Sequence, residues 1–228
     1  MLNWNLEGKN ALITGGTKGI GEAIVSAYVD LGAEVITVAR NAATLPETWS
    51  GKVTLITGDL SDADFRNTLS ETIGAKWGKL DILVNNVGTN IRKKFEDYTE
   101  AEYRKIFETN LFGMIDLTRK LFPLLCASGK ASILNVASIA GSVDVGSGAP
   151  YGMSKSAIIQ LTRNLAVEWA RHGIRVNTLS PWYIRTPLVE PVLNDPERLG
   201  KILRRTPMQR IGEPEEIASI AAFLALSL

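Results

Sequence analysis

The sequence predicts one α/β domain built on a doubly wound parallel sheet. Short apolar runs rich in β-branched residues alternate along the chain with longer segments of helical periodicity. A glycine-rich turn joins the first run to the first helical segment, and no repeat, charge block or low-complexity linker divides the 228 residues. Such alternation requires parallel strands whose two faces are covered by helices. Residues 1–228 are therefore interpreted as a single domain.

The predicted strands and helices follow one another in order. Strands are predicted over 9–14, 34–39, 52–57, 80–85, 131–137 and 174–179, and helices near 20–31, 62–76, 99–126, 153–172 and 213–226. The stretch 42–50 contains Pro46 and has room for barely two helical turns. Residues 187–212, with several prolines and a mixed helix near 195–205, are typical of a substrate lid. Because ligands of such sheets bind beyond the carboxyl ends of the strands, residues that follow strands are the candidates for function.

Composition excludes several functional classes. Lys and Arg number 25 against 24 Asp and Glu, so the electrostatic footprint of nucleic acid or an anionic membrane is missing. The longest apolar stretch, 217–226, is about half of what a membrane span needs. The single Cys126 rules out an internal disulfide framework and suits a reducing compartment. The start of the chain is polar within three residues and shows no signal peptide, so we expect a cytoplasmic protein. No metal site is predicted.

The glycine turn predicts a dinucleotide site. Glycines allow the backbone to approach a pyrophosphate closely, and the following helix offers free N–H groups and the positive end of its dipole. The spacing is Gly-x-x-x-Gly-x-Gly rather than the more common Gly-x-Gly-x-x-Gly. A tight turn without a ligand is the alternative interpretation. The candidate cofactor residues here are Gly15, Thr17, Lys18, Gly19, Ile20 and Gly21.

Two cations favour NADP over NAD. Arg40 ends the second predicted strand, and no carboxylate occurs from 35 to 41. An acidic residue at this point hydrogen-bonds the ribose of NAD, whereas an arginine accommodates the 2′-phosphate of NADP. Lys18, within the glycine turn, provides a second charge for the same phosphate. The alternative is that both are solvated surface cations.

Tyr151 and Lys155 lie four residues apart and therefore share one helical face. An ammonium beside a phenol favours the ionised phenol, and a phenol tuned in this way can exchange a proton with a substrate oxygen. The pair alone occurs often by chance. It gains weight because Asn110 and Ser138 precede it in the chain.

In this order the motifs resemble the single-domain short-chain dehydrogenase/reductase family, and the resemblance covers residues 6 to about 224. Within the family, the segment 3–21, the Lys18–Arg40 pair and 181–186 are most similar to tropinone reductases. The matched motifs are Thr14-Gly15-x-x-x-Gly19-x-Gly21, Asp59-Leu60, Asn85-Asn86-Val87-Gly88, Asn110, Ser138, Tyr151-x-x-x-Lys155 and Pro181 to Thr186. The resemblance implies a Rossmann fold and an NADP(H)-dependent hydride transfer between the nicotinamide and a small ketone or secondary alcohol. It also implies a homodimer or tetramer that pairs through helices near 103–126 and 153–172.

The resemblance implies a role for each matched residue. Tyr151 would be the general acid, Ser138 would hydrogen-bond the carbonyl oxygen, Lys155 would bind the nicotinamide ribose and lower the pKa of Tyr151, and Asn110 would hold a relay water. Contacts to the cofactor would come from Asp59, Leu60, Asn86, Gly88, Tyr151, Lys155, Pro181, Ile184 and Thr186. Plain structural roles compete: Asn110 as a helix cap or kink, Ser138 as a loop hydroxyl, and Asp59 as the cap of the helix near Ser61.

Several positions depart from the family pattern. Relatives usually continue after the helix that ends near Leu224 into a last strand, which this chain is expected to lack. Trp182 stands where glycine is commoner and is expected to narrow the substrate pocket, or simply to pack. Arg92 stands where tropinone reductases place a specificity residue; it would disfavour a cationic alkaloid and suit an anionic or polar substrate, unless it is a solvated surface cation. His172, the only histidine, is predicted to lie at a helix end without a catalytic role.

Two alternative functions stay open at this level. A 3-oxoacyl-thioester reductase would share every catalytic residue and would need a basic face for its carrier protein. The cations that offer such a face are Arg119, Lys120, Arg163 and Arg171. A non-catalytic NADP-binding sensor would use the same fold without the chemistry.

Overall fold

The computed structural model describes residues 4–226, so residue 3 of the predicted 3–21 match and the last two residues lie outside it. Six parallel strands form one sheet in the order β3-β2-β1-β4-β5-β6. The strands are β1 (Asn10–Thr14), β2 (Glu34–Ala39), β3 (Val53–Thr57), β4 (Ile82–Asn85), β5 (Ser132–Val136) and β6 (Arg175–Leu179). The predicted doubly wound Rossmann fold is confirmed. The strand order reverses between β1 and β4, which opens a crevice at their carboxyl ends.

Helices cover both faces of the sheet. They are α1 (Gly19–Asp30), α2 (Ala63–Trp77), α3 (Glu100–Phe107), α4 (Gly113–Ser128), α5 (Ala149–Glu168), α6 (Glu190–Leu193), α7 (Pro196–Arg204) and α8 (Pro214–Ala225). The helical stretch predicted over 99–126 is confirmed from Glu100 to Ser128, and a π-helical segment within it, Glu108–Phe112, separates α3 from α4. The helix predicted over 153–172 begins four residues earlier, so Tyr151 lies in its first turn, and it ends at Glu168. In the stretch 42–50, which is too short for more than about two helical turns, the structure contains a single 3-10 turn, Glu47–Trp49. Its Trp49 side chain is buried.

Alternation along the strands divides the core into two apolar clusters. On β1, Ala11 and Ile13 join the cluster beneath α1 and α8, whereas Leu12 joins the cluster beneath α2 and α4. Small residues on α8 allow close packing against α1, and the Tyr28 hydroxyl donates a hydrogen bond to the Ala221 carbonyl at 3.0 Å. Burial on both faces explains why the central strands are largely apolar, whereas the edge strands β3 and β6 carry exposed polar residues.

Buried polar side chains tie the centre of the sheet to the helices that carry the site. Asn85 Nδ2 donates to Asn135 Oδ1 at 2.8 Å and to Thr118 Oγ1 of α4 at 3.1 Å. Asn135 Nδ2 in turn donates to Thr162 Oγ1 of α5 at 2.9 Å. A satisfied buried network of this kind specifies one packing arrangement. It holds α4 and α5 in register with β4 and β5.

The described part of the chain ends just after α8, with β6 at one edge of the sheet. The sequence predicted that no further strand follows this helix. Residues 227–228 lie outside the described range, so this expectation stays a prediction. Among residues 4–226, no helix combines the length and the hydropathy that a membrane crossing requires.

Candidate active site

The turn after β1 has the shape of a phosphate-binding loop. Gly15 and Gly19 adopt φ values of +72° and +57°, which favour glycine. A Cβ atom on Gly21 would lie 2.2 Å from the Gly15 carbonyl oxygen, so only glycine fits there. Lys18 occupies the N-cap of α1, and no side chain caps the helix. The first N–H groups of α1 are therefore left for an anionic ligand.

Side chains from neighbouring strands hold this turn in place. Asn86 Nδ2 donates to the carbonyl oxygens of Thr14 and Gly15 at 3.0 and 3.1 Å. Thr37 Oγ1 accepts from Gly16 N at 3.0 Å and donates to the Ile13 carbonyl at 2.8 Å. Thr37 was missed by the sequence analysis because it stands within an apolar strand and belongs to no motif there. The turn is thus fixed before any ligand binds.

The predicted cations lie at the rim of the same crevice. Lys18 and Arg40 are exposed, and neither has a carboxylate within 4 Å among the described residues. Leu60 is buried beneath α4. Asp59 is exposed and accepts a hydrogen bond from Ser61 N at 2.9 Å. The interpretation of Asp59 as the cap of α2 is wrong, because Asp62 caps that helix.

Lys155 lies one turn after Tyr151 on α5 and is 4% exposed. Its Nζ donates to the Val136 carbonyl at 2.9 Å and lies 5.7 Å from the centroid of the Tyr151 ring. Burial lowers the pKa of Lys155 to about 8, because a charged ammonium is poorly solvated there. Their four-residue spacing predicted that the two side chains share one helical face, and the structure confirms that they are adjacent.

Burial raises the pKa of Tyr151 above its usual value; a hydrogen bond with Ser138 and the charge of Arg92 oppose this rise. The predicted lowering of the Tyr151 pKa by Lys155 is therefore not what these residues produce, since desolvation of the phenolate dominates. Ser138 also accepts from Ala140 N at 3.2 Å, as the cap of the 3-10 turn Ile139–Gly141. Ser138 is thus a loop hydroxyl that also lies near enough to Tyr151 to oppose the rise in the pKa of that phenol.

Asn110 lies within the π-helical segment between α3 and α4 and is 1% exposed. Its amide donates to the Thr89 carbonyl at 3.0 Å and to Ser154 Oγ at 3.1 Å, while its oxygen accepts from Thr89 N at 2.7 Å. A π-bulge turns a side chain out of the regular helical path and is frequent at functional sites. Ser154, whose hydroxyl donates to the Tyr151 carbonyl at 2.8 Å, was missed because no motif marks it.

Gly88 lies next to both Lys155 and Asn110. A Cβ atom on Gly88 would lie 3.5 Å from Lys155 Nζ and 3.6 Å from Asn110 Oδ1. These are ordinary contact distances, so Gly88 lies directly beside both groups, and its lack of a side chain leaves its backbone accessible at this point.

The segment after β6 closes the crevice from above. The Pro181 carbonyl accepts from Ile139 N at 3.1 Å, and buried Ile184 pairs with Gly212 in an isolated parallel bridge. Thr186 Cγ2 lies 3.0 Å from the position that a Cβ on Gly19 would occupy. Residues 181–186 therefore connect the Ser138 loop with the glycine turn.

A cleft of about 1140 Å³ opens next to the Tyr151 position: its lining includes Gly152, the following residue, together with Arg92 and Tyr183, whereas Tyr151 itself is not part of the lining. Its walls are the loop 140–149, residues 182–183 and the segment 187–212, which carries α6 and α7. Trp182 lines this cleft, lies edge-on to Tyr183 at 4.7 Å, and donates from Nε1 to Thr206 Oγ1 at 3.0 Å. Arg92 lines it too and is only partly exposed. His172 lies away from it, in a 3-10 turn after α5, as predicted.

Comparison with known protein families identifies the family to which this chain belongs. Residues 15–228 match the family model described as enoyl-(acyl carrier protein) reductase, a model of the short-chain type. The chain is a short-chain dehydrogenase/reductase. This short-chain dehydrogenase/reductase is 46% identical over 230 residues to a tropinone reductase homolog of Arabidopsis thaliana, across 98% of this chain and 87% of the relative.

Solved structures place the fold in the same group of dehydrogenases. A gluconate 5-dehydrogenase from Burkholderia cenocepacia, in complex with NADP and tartrate, superposes with a TM-score of 0.92 at 28% identity, over 97% of this chain and 89% of that one. The RhlG/NADP active-site complex of Pseudomonas aeruginosa superposes with a TM-score of 0.90 at 33% identity, over 99% and 92%. The short-chain dehydrogenase/reductase described here thus shares its architecture with enzymes solved with NADP.

Within residues 4–226 of this short-chain dehydrogenase/reductase, no three His, Cys, Asp or Glu side chains gather closely enough to hold a metal ion.

Proposed function

We propose that this short-chain dehydrogenase/reductase is an NADP(H)-dependent oxidoreductase that interconverts a small ketone and its secondary alcohol. The observation that carries the proposal is the grouping of Tyr151, Ser138, Lys155 and Asn110 beside a glycine-lined crevice. The crevice supplies space and free N–H groups for a dinucleotide, and the adjacent cleft supplies room for a small substrate.

The cofactor proposal rests on shape and charge. The close approach at Gly21 and the accessible backbone at Gly88 fit a pyrophosphate and a flat ring. Lys18 and Arg40 carry charges suited to a 2′-phosphate, and the two NADP-bound neighbours support the same choice. Bound NADPH supplies the hydride; the residues of this chain hold and orient it and manage the proton.

Tyr151 is proposed as the general acid. Its raised pKa keeps the proton on the phenol at neutral pH, which suits donation to a carbonyl oxygen during reduction. Ser138, its hydrogen-bond partner, is placed to bind the same oxygen and fix its distance to the phenol.

Lys155 and Asn110 are proposed to replace the proton that Tyr151 gives up. With a pKa of about 8, the Lys155 ammonium can exchange a proton near neutral pH. Asn110 is held rigidly by Thr89 and Ser154 and lies beside Gly88. We assign to it the holding of a water that connects Lys155 with solvent.

The two alternatives are less well supported. Lys120 lies 3.6 Å from Asp116, and the cations predicted for a carrier-protein face, Arg119, Lys120, Arg163 and Arg171, do not line the cleft, which other cations line instead. Turnover of 3-oxoacyl thioesters in the assay below decides this alternative. A sensor without catalysis has no need for a buried lysine next to a partly buried tyrosine. We therefore prefer the ketone reductase. We assign to residues 187–212 the role of its lid.

Assembly and location are part of the same proposal. A groove of about 600 Å³ between α3, the π-helical segment and the start of α5 is lined by Phe107, Phe112, Pro150 and Met153. Phe112 and Met153 are 52% and 55% exposed, which is unusual for large apolar side chains. This face supports a homodimer or tetramer. The cytoplasmic location stays a prediction from the sequence. A Phe112→Lys variant of lower mass in light scattering would agree with it, and an unchanged mass would contradict it.

Turnover tests the proposed chemistry. Purified enzyme is assayed for NADPH consumption with cyclic ketones, amino-ketones, keto acids and 3-oxoacyl thioesters, together with Tyr151→Phe and the exposed control Tyr103→Phe. We expect loss of about 100-fold or more in the first variant and none in the second. Unchanged turnover in Tyr151→Phe would overturn the mechanism, and NADPH binding without turnover of any carbonyl would favour a sensor.

A further inference from the structure

The cleft beside Tyr151 is strongly basic. Its lining includes one carboxylate, Asp144, and six cations: Arg92, Lys93, Lys94, Arg198, Lys201 and Arg205. The whole chain is almost balanced, with 25 basic and 24 acidic residues. The excess is therefore local to the cleft and does not follow from composition.

Half of these cations are already neutralised by carboxylates outside the lining. The pairs are Lys93–Glu102 at 2.6 Å, Arg198–Asp195 at 3.2 Å and Lys201–Glu197 at 2.6 Å. Among residues 4–226, Arg92, Lys94 and Arg205 have no carboxylate within 4 Å. Asp144 is turned to its own loop, where its Oδ1 accepts from Gly146 N at 2.9 Å. The unpaired charge in the cleft is thus positive.

Arg92 is the unpaired cation that lies close to Tyr151, the proposed general acid. It follows the Asn85–Gly88 turn at the end of β4 and is only partly exposed. Its guanidinium acts on Tyr151 strongly enough to oppose the rise in the pKa of that phenol. Because it is partly removed from water, its attraction for an anion is less screened than that of a surface cation.

Arg205 adds a second guanidinium from the lid. Its guanidinium carbon lies 5.8 Å from the Trp182 ring, and Trp182 Nε1 is hydrogen-bonded to the neighbouring Thr206. A planar guanidinium can lie over an indole and keep donors at its edge. Arg205 Nη2 donates to the Asp144 carbonyl at 3.5 Å, on the opposite wall of the cleft, and the remaining N–H groups are left for a ligand. Trp182 therefore acts as a positioning residue that holds Arg205 at the wall of the cleft.

We propose that the substrates of this enzyme carry a carboxylate, and that Arg92 and Arg205 bind it from two walls of the cleft while the carbonyl faces Tyr151. The inference rests on the proposed ketone–alcohol chemistry and names its substrate class, keto acids and hydroxy acids. The guanidinium fork matches a carboxylate with two parallel hydrogen bonds. The same charges repel cationic amino-ketones.

The test compares each keto acid with its methyl ester, which keeps the carbonyl and removes the charge. The ratio of kcat/KM for acid over ester is measured in the wild type, Arg92→Gln, Arg205→Gln and Trp182→Phe. Lys130→Gln loses the same charge and serves as control, because Lys130 is exposed and lies just before β5, at the amino end of that strand. We expect the acid to be preferred about 10-fold or more, and the ratio to fall about 10-fold in each arginine variant. Lys130→Gln should match the wild type.

Binding is measured separately, by calorimetry of the keto acids with the enzyme–NADP⁺ complex. Carboxylate binding that weakens about 10-fold or more in Arg92→Gln and in Arg205→Gln supports the inference even for a poor substrate. An acid-to-ester ratio near one, a ratio that falls equally in Lys130→Gln, or binding that both arginine variants retain would overturn it. Loss of all NADPH turnover with carboxylate binding intact would overturn the proposed reaction instead, so the two failures are distinguishable.

Discussion

Replacing Lys155 by methionine is expected to stabilise the free enzyme at neutral pH although it removes a residue of the proposed active site. Lys155 is 4% exposed and has a hydrogen bond to the Val136 carbonyl, but no carboxylate lies within 4 Å of its Nζ among the described residues. Folding must therefore bury an ammonium without a counter-ion. Methionine has a similar length and carries no charge.

The size of the effect follows from the pKa of Lys155. Burial lowers it from 10.5 to about 8, so between these values the unfolded chain binds more protons than the folded one. Stability then rises with pH across this window. Below the pKa of Lys155 in the folded state, burial of the charged ammonium costs about 3 kcal/mol of folding free energy. At about pH 9.5, less than half of this cost is left. In Lys155→Met, loss of the hydrogen bond to Val136 offsets about 1 kcal/mol of the stability gained by removing the charge.

The net expectation is a gain of about 2 kcal/mol for Lys155→Met at pH 7 and about zero at pH 9.5. It is measured by urea unfolding without cofactor, at one protein concentration, with tryptophan fluorescence as the signal. Lys130→Met, at an exposed site, is the control and should be neutral at both values. If Lys155→Met is no more stable than the wild type at pH 7, or if its advantage does not shrink at pH 9.5, the reasoning is refuted.

Three further outcomes are expected at the cofactor crevice and the π-helical segment. Gly21→Ala should abolish NADPH binding in a fluorescence titration, because its Cβ would lie 2.2 Å from the Gly15 carbonyl oxygen; Gly74→Ala, whose Cβ meets nothing closer than 3.8 Å, should bind normally. Arg40→Glu should lower kcat/KM for NADPH relative to NADH by about 10-fold or more, and an unchanged ratio would exclude Arg40 from the phosphate site. Asn110→Leu should lose about 2–4 kcal/mol in urea unfolding, since three buried hydrogen bonds are broken, and should lose kcat as well. A stable variant with full kcat would refute both the structural role of Asn110 and its proposed role in holding a relay water.

Much of the fold could be predicted because local patterns carry it. Apolar runs that alternate with helical segments indicated all six strands to within two residues, and the Tyr151–Lys155 spacing placed both side chains on one helical face. Glycine spacing indicated the phosphate loop because positive φ and close approach depend on the residue itself.

Other features depended on neighbours distant in sequence. The π-helical segment at Asn110 leaves no periodic signature, because one extra residue in a turn is stabilised by its hydrogen bonds to Thr89 and Ser154. The direction of the Tyr151 pKa shift was predicted wrongly, since a sequence shows a nearby lysine but not the burial that opposes an ionised phenol.

The sequence by itself thus determined the class of fold, the glycine turn and the identity of the residues that meet at the carboxyl ends of the strands. Only the tertiary structure decided how much water each of them retains, which cations are left without a carboxylate, and that Trp182 holds Arg205 against the cleft. The physical reason is that residue type and spacing govern backbone conformation locally. Charge, solvation and pKa depend on groups that the fold brings together from far apart.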